Sequence, residues 1–292
     1  MIDDIMNDKM LLKRKRIDNA FRIFSKMATW SSLVILAILI YHVSITGINR
    51  LSLDFLNNFP SRFPDKAGIK SALHGSIWML TLVTIISVPI GVATAIYLEE
   101  YGRKNKLTKL IEINISNLAG VPSIVYGILG LAIFVRFFQF DRSVLAGSFT
   151  MSLLILPVII ISSREAVRAV PKSIRLGAYA VGATKLQTIT HHVIPIATPG
   201  ILTGIILSMS RAIGETAPLI MIGALTYVAF VPEGIWDPFT ALPIQVFNWA
   251  SRPQAAFHEV AAAGIILLLA VLLSMNAIAI VLRNYANKKY DF

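Results

Sequence analysis

Between its charged residues the chain carries five uninterrupted apolar runs, Met27–Asn49, Ser71–Leu98, Ile113–Val135, Ser143–Ser163 and Val260–Leu282. Roughly 20 residues of helix cross the ~30 Å hydrocarbon layer of a bilayer, so each run is long enough to span one. A soluble fold of 292 residues has no interior that hides five such segments. Hydrophobic residues make up 55% of the chain and the mean hydropathy is +0.69, a balance that leaves too little polar surface for a water-soluble domain. Inside lipid every backbone N–H and C=O needs a partner within the protein, which predicts helices for these runs and an all-α, polytopic membrane protein.

A sixth run, Pro199 to Val231, is interrupted by two charges, Arg211 and Glu215. A charged side chain at the bilayer centre costs roughly 2.5–3.5 kcal/mol even on the lenient insertion scale. If a helix begins at Pro199, Arg211 lies about 18 Å along it, near the bilayer centre, with Glu215 about 6 Å further on. The i,i+4 spacing predicts one shared face, with Ser208 on the side of Arg211. Mutual neutralisation is a weak reason for keeping both charges, because an Arg-before-Glu pair contributes only about 0.2–0.5 kcal/mol on an exposed helix. The pair therefore predicts a pathway for something charged. Gly214 and Pro218 are weak points where such a helix can bend, and the Thr216 hydroxyl is placed to bond a backbone group freed by the proline.

Six spans put both termini on one side, and the basic residues say which. Of 27 Lys and Arg, 19 fall in the N-terminal tail, the 99–112 loop, the 164–198 loop and the C-terminal tail, against seven on the opposite face. Positive charge collects on the cytoplasmic side, so both termini are expected there. The same distribution accounts for the net charge of +11 without nucleic acid. The organisation expected is a charged tail (1–26), an accessory span (27–49), a five-span unit (71–284) and a short cytoplasmic end (285–292). The first run is too long for a signal-peptide core and lacks a small-x-small cleavage site, so it is read as retained.

Much chemistry is excluded. With no cysteine there are no disulfides and no thiolate metal sites or nucleophiles. No Gly-x-x-x-x-Gly-Lys-Ser/Thr loop occurs, so the chain does not hydrolyse ATP alone, and no catalytic residue is assigned. His191 and His192 are adjacent rather than on one helical face, and no metal site or cofactor is expected in this chain. Two long loops remain. The 164–198 loop has helical spacing in Ile174, Ala178, Val181 and then Leu186, Ile189, Val193, which predicts two short amphipathic helices broken near Gly182. The 230–258 loop holds Trp236, Pro238, Phe239, Pro243, Phe247, Trp249 and Pro253, and is expected on the outer membrane face or against a partner.

The 164–198 loop resembles the motif of ATP-binding-cassette importer permeases, Glu-Ala-Ala, three residues, Gly, nine residues, Ile-x-Leu-Pro. Gly182 and Pro195 stand at that interval, Ala178 matches the last alanine and Ile194 takes the place of leucine. Leu176 and Gly177 depart from the Glu and Ala, and His192 from the Ile. The runs Ala119–Gly127, Pro199–Ile201, Arg211–Pro218, Phe247–Ser251 and Met275–Ala279 are similar to the phosphate-specific permeases of this class, PstA type, over about residues 71–284. The resemblance implies a type I importer core (MetI-like) forming half of a phosphate pathway. It also implies four kinds of partner: a homologous permease (PstC type), ATP-binding subunits (PstB type) that hold ATP and Mg, a soluble phosphate-binding protein, and membrane lipid. On this reading Arg211, Glu215, Thr216, Ser123 and Tyr126 line the pathway and Gly214 and Pro218 form its hinge. Ala178, Gly182, Ala183, Ile194 and Pro195 couple to the ATPase, and the first span wraps the partner permease. Two alternatives stay open: a permease for another oxyanion, and an ion-coupled carrier, though no repeated halves are visible.

Overall fold

The structure, a computed structural model, describes residues 2–102, 105–224 and 227–288, and every regular element in them is helical. The first, α1 (Ile2–Gly47), is unbroken, because no proline or glycine interrupts it before Gly47. The predicted tail and first span are thus one helix over the described residues. Short α2 (Leu53–Asn57) follows, its N-terminus capped by the Ser52 hydroxyl, which accepts from Phe55 N–H.

The long α3 (Lys70–Ile96) continues through a wide helical turn, Tyr97–Tyr101. Next come α4 (Lys106–Ala119) and α5 (Ser123–Gly130), the latter extended by a wide turn over Leu131–Phe137. The chain then crosses as α6 (Val144–Arg168) and forms α7 (Lys172–Ala180) and α8 (Lys185–Thr188). A wide turn, Ile189–Val193, leads into α9 (Ile194–Gly214). Short α10 (Ala217–Met221) and α11 (Leu242–Ala250) precede the final α12 (Ala255–Lys288).

Five helical runs are long and apolar enough to cross a membrane, Met10–Arg50, Lys70–Tyr101, Val144–Arg168, Lys185–Gly214 and Ala255–Tyr285. The sixth crossing departs from expectation. Ile113–Val135 is not one straight helix: α4 and the helix after it meet at 102°. Pro122 has no N–H to continue α4 and disfavours helical backbone at Val121, so α4 stops at Ala119 and the chain restarts at Ser123.

The 230–258 loop also differs from its expected surface position. Phe239 and Trp249 are fully buried and Pro243 is buried with them, while Trp236 and Phe247 stay exposed. The reason is local: α11 tucks between α3 and α12, and Leu242 N–H bonds the Ser76 hydroxyl inside the bundle (2.8 Å).

The main core is made where α6 packs between α3 and α9, with Met79, Val83, Met151, Ile155 and Ile159 at its centre. A second core joins α2, α11 and α12 through Phe55, Leu242, Trp249 and Phe257. Beside this body α1 is held at its far end, where Arg50 pairs with Asp65 (2.7 Å) and with Glu259 on α12 (3.0 Å). Its side chains from Met10 to His42 are all exposed within the chain.

Candidate functional site

Position comes first. Ser210 on α9 bonds Asn276 on α12 (2.5 Å), and Met209 lies 3.7 Å from the hydroxyl of Thr84, a residue near the middle of the Lys70–Tyr101 run. These two contacts fix the end of α9 against the Lys70–Tyr101 and Ala255–Tyr285 runs.

The helix does not continue to Val231. It ends at Gly214, and Glu215 is extended (φ −75°, ψ 127°). Pro218 is the cause, because in a continuous helix its ring would strike the carbonyl four residues earlier, that of Gly214. The break lets Pro218 sit in the first turn of α10, where a missing N–H costs nothing. Two expectations are corrected with it. Ser208 does not join the face of Arg211: it is fully buried and donates to Gly204 O (2.8 Å). Thr216 starts α10, its carbonyl accepting from Ile220 N–H, and its hydroxyl rescues no freed backbone group among the described residues.

Arg211 still reaches Glu215 across the break, Nε to Oε1 at 3.2 Å. The arginine side chain is 44% exposed and the glutamate 19%. A guanidinium has five N–H donors, and this is the one side-chain contact of Arg211 among the described residues. The two terminal nitrogens, with four donors, make no hydrogen bond among the described residues, on a side chain that is 44% exposed.

Across from this break stands the other one. Gly127 on α5 is pressed against α10, where a Cβ would fall 2.7 Å from both Pro218 Cα and Met221 Cβ. The glycine is needed for that approach. Ser123 opens α5 and is partly exposed, whereas Tyr126 is buried and its hydroxyl donates to Leu118 O (2.7 Å). Tyr126 therefore does not offer its hydroxyl to the pathway, as the sequence suggested; it pins the corner between α4 and α5, within electrostatic reach of Arg211.

At the other end of α9 lies the loop with the importer-type spacing. Gly182 turns the chain between α7 and α8 at φ +86°, a left-handed value that suits glycine, and a Cβ there would touch nothing. Thr184 and Gln187 cap α8 reciprocally. Leu176, Val181 and Leu186 are 68%, 84% and 63% exposed, an apolar patch with no cover within the chain. Ala178 differs from its expected role because it is buried, facing the chain's own interior, and Ala183, Ile194 and Pro195 are partly buried. Helical backbone is continuous from Lys185 to Gly214, so α8 and Arg211 belong to one rod.

Residues 87–290 match the family of binding-protein-dependent transport system inner membrane components. The chain belongs to that family. The phosphate transport system permease protein PstA of Mycobacterium leprae (strain TN) is 37% identical over 207 residues, 70% of this chain and 67% of that protein. The protein of the same name from Yersinia pestis is 32% identical over 296 residues, 98% and 99% of the two chains. Among solved structures, a bacterial alginate ABC transporter in complex with an alginate pentasaccharide-bound periplasmic protein shares the fold. Its TM-score is 0.64 at 14% identity, covering 91% of this chain and 93% of that one. The inward-facing methionine transporter MetNI aligns with TM-score 0.58 at 15% identity, over 75% and 94%.

This inner membrane component also holds a charge network that the sequence reading missed. Arg175 on α7 grips Glu100 at the end of α3 through Nη2 (2.6 Å) and Nε (3.0 Å), and donates to the carbonyls of Val170 (2.7 Å) and Val167 (3.0 Å) that close α6. Arg164 pairs with Glu99 (2.9 Å) and Glu112 (2.8 Å), and Arg168 with Glu99 (3.2 Å). A visible signal was the acidic pair Glu99–Glu100 ending a span in an otherwise basic region.

Proposed function

We propose that the chain is the permease subunit of an ATP-driven importer of inorganic phosphate and supplies half of the translocation pathway. The observation that carries the reading is Arg211: a guanidinium held by one carboxylate contact, with its terminal nitrogens open. Its family membership and the phosphate permeases it is similar to give the transported anion.

A phosphate oxygen pair suits the planar edge of a guanidinium, which binds oxyanions through two parallel N–H bonds. Glu215 occupies Nε and places a negative charge beside the bound anion. At 4 Å a single charge pair is worth about 4 kcal/mol at an effective dielectric of 20, so an arginine without that opposition would hold an anion too long. Thr216 and Ser123, at the starts of α10 and α5, are the further polar contacts, and Tyr126 fixes the corner behind them. Gly214 and Pro218, where the helix is already interrupted, form the hinge.

The other wall is supplied by a homologous permease of PstC type. The apolar patch around Gly182 docks on ATP-binding subunits of PstB type, which bind ATP and Mg, and a soluble phosphate-binding protein delivers the anion on the opposite face. Both termini and α7 lie in the cytoplasm. Movement of the patch travels along the continuous rod from Lys185 to Gly214 and shifts Arg211.

The test is ATP-dependent uptake of labelled phosphate by vesicles containing the assembled importer, with sulfate and molybdate as competitors. Uptake that needs this chain and that neither competitor blocks supports the proposal. Equal transport of sulfate or molybdate assigns another oxyanion, and uptake without ATP points to an ion-coupled carrier.

A further inference from the structure

The loop around Gly182 continues into the α8–α9 rod, yet it is fastened at a second place, the wide turn that ends α3. Three consecutive residues there hold three different elements. Glu99 binds Arg164 and Arg168 of α6 (2.9 and 3.2 Å). Glu100 takes both Nη2 and Nε of Arg175, on α7, at its one oxygen Oε1 (2.6 and 3.0 Å). The ring of Tyr101 lies 4.5 Å from Nζ of Lys185, the first residue of α8. Successive side chains on a helix diverge by about 100°, so three in a row can face three different neighbours. The backbone is unusual at this point: Gly102 N–H bonds Tyr97 O, five residues back (2.8 Å), and wide turns of this kind occur frequently at functional sites.

The ties differ in stiffness. Glu100 is nearly buried, and Arg175 also donates to the carbonyls of Val167 and Val170 that close α6, so α7 cannot shift against α3 without stranding a buried charge. Lys185 and Tyr101 are exposed, and a cation over a ring in water yields more easily. Rigid helices joined by ion pairs and packed side chains pass a displacement on. Further along α3, the Thr84 hydroxyl meets Met209 of α9 two residues before Arg211 (3.7 Å), and α6 is packed between α3 and α9. Movement imposed on α7 therefore has a route to the neighbourhood of Arg211 that does not run along the α8–α9 rod.

We propose that Glu100 and Tyr101 are positioning residues for ATP-driven transport: through Arg175 and Lys185 they make α3 and α6 move with the loop, so that three spans carry the stroke and not α9 alone. The inference rests on the proposed docking of that loop on ATP-binding subunits. The test measures labelled phosphate uptake and ATP hydrolysis together on the assembled importer in vesicles. Glu100→Gln should lower the phosphate moved per ATP about tenfold while hydrolysis continues, a coupling loss of ordinary size. Tyr101→Leu and Lys185→Met, at exposed positions, should each lower it about threefold, and Lys185→Arg, which keeps a cation over the ring, should preserve it. Arg50→Gln cuts ion pairs at the opposite end of the bundle and should leave the ratio unchanged. An unchanged ratio in the Glu100 and Tyr101 variants overturns the proposal. So does uptake that falls in step with hydrolysis, which marks a tie for the fold alone, or an equal fall with Arg50→Gln, which marks general loosening. Should Glu100→Gln fail to assemble, the exposed Tyr101 and Lys185 variants decide in the same way. Sulfate uptake by the wild type changes the anion and leaves the ratio readable, whereas wild-type uptake without ATP overturns the importer reading and this proposal together.

Discussion

Two Arg–Glu pairs in this chain are built in opposite ways. Arg175 meets Glu100 through two nitrogens at 2.6 and 3.0 Å and spends its remaining reach on two backbone carbonyls, with the side chains only 17% and 7% exposed. Arg211 meets Glu215 through one nitrogen at 3.2 Å, at 44% and 19% exposure, on a backbone that has just left its helix. The first pair engages four of the guanidinium's five donors and joins three elements, α3, α6 and α7. The second engages one donor, at the end of a helix that has just broken. A buried arginine with nearly all its donors engaged is a structural tie, whereas one with most of them open is available to a passing anion.

The contrast can be broken most forcefully at the tie. Arg175→Ala leaves Glu100 as an uncompensated buried carboxylate, and removing one partner of such a pair costs about 3–5 kcal/mol. Thermal unfolding of the purified chain should show this as a large drop in midpoint, and the exchange Arg175→Glu with Glu100→Arg should recover part of it. The packing of the two breaks is next. Gly127→Ala forces a Cβ into Pro218 and Met221, and overpacking of this kind costs roughly 1–3 kcal/mol, read from the same unfolding curve. Tyr126→Phe removes one hydrogen bond to Leu118 O and should cost about 1 kcal/mol. Smallest of all on stability is Arg211→Ala, because an exposed pair contributes about 0–1 kcal/mol.

Much of this architecture was legible in the sequence, since bilayer thickness and charge-free runs fix the spans with little help from packing. Four spans stand where they were expected, and Gly182 turns the chain where spacing alone placed the turn. The two spans that fail do so at proline. Pro122 and Pro218 each break a run that composition reads as one helix, and hydropathy averages over such breaks. Trp249 and Phe239 were misplaced for a different reason: aromatic residues suit a membrane interface and a buried core equally well, and only the tuck of α11 decides between them. In the site, the i,i+4 pairing of Arg211 with Glu215 follows from spacing. That Tyr126 serves the backbone and that Ser208 faces inward depends on side-chain direction, which spacing around a broken helix does not give. Arg175 and Glu100 are 75 residues apart, and nothing local in the sequence joins them.

The central claim is that Arg211 carries transport without carrying the fold. It is tested most directly by measuring phosphate uptake and thermal unfolding together on the assembled importer with Arg211→Ala. Losing a charge contact with the anion worth about 4 kcal/mol at an effective dielectric of 20 predicts uptake reduced at least a hundredfold, while the unfolding midpoint and the assembly of the complex stay as in the wild type. Uptake near the wild-type rate, or a loss of uptake matched by a comparable loss of stability, would contradict it.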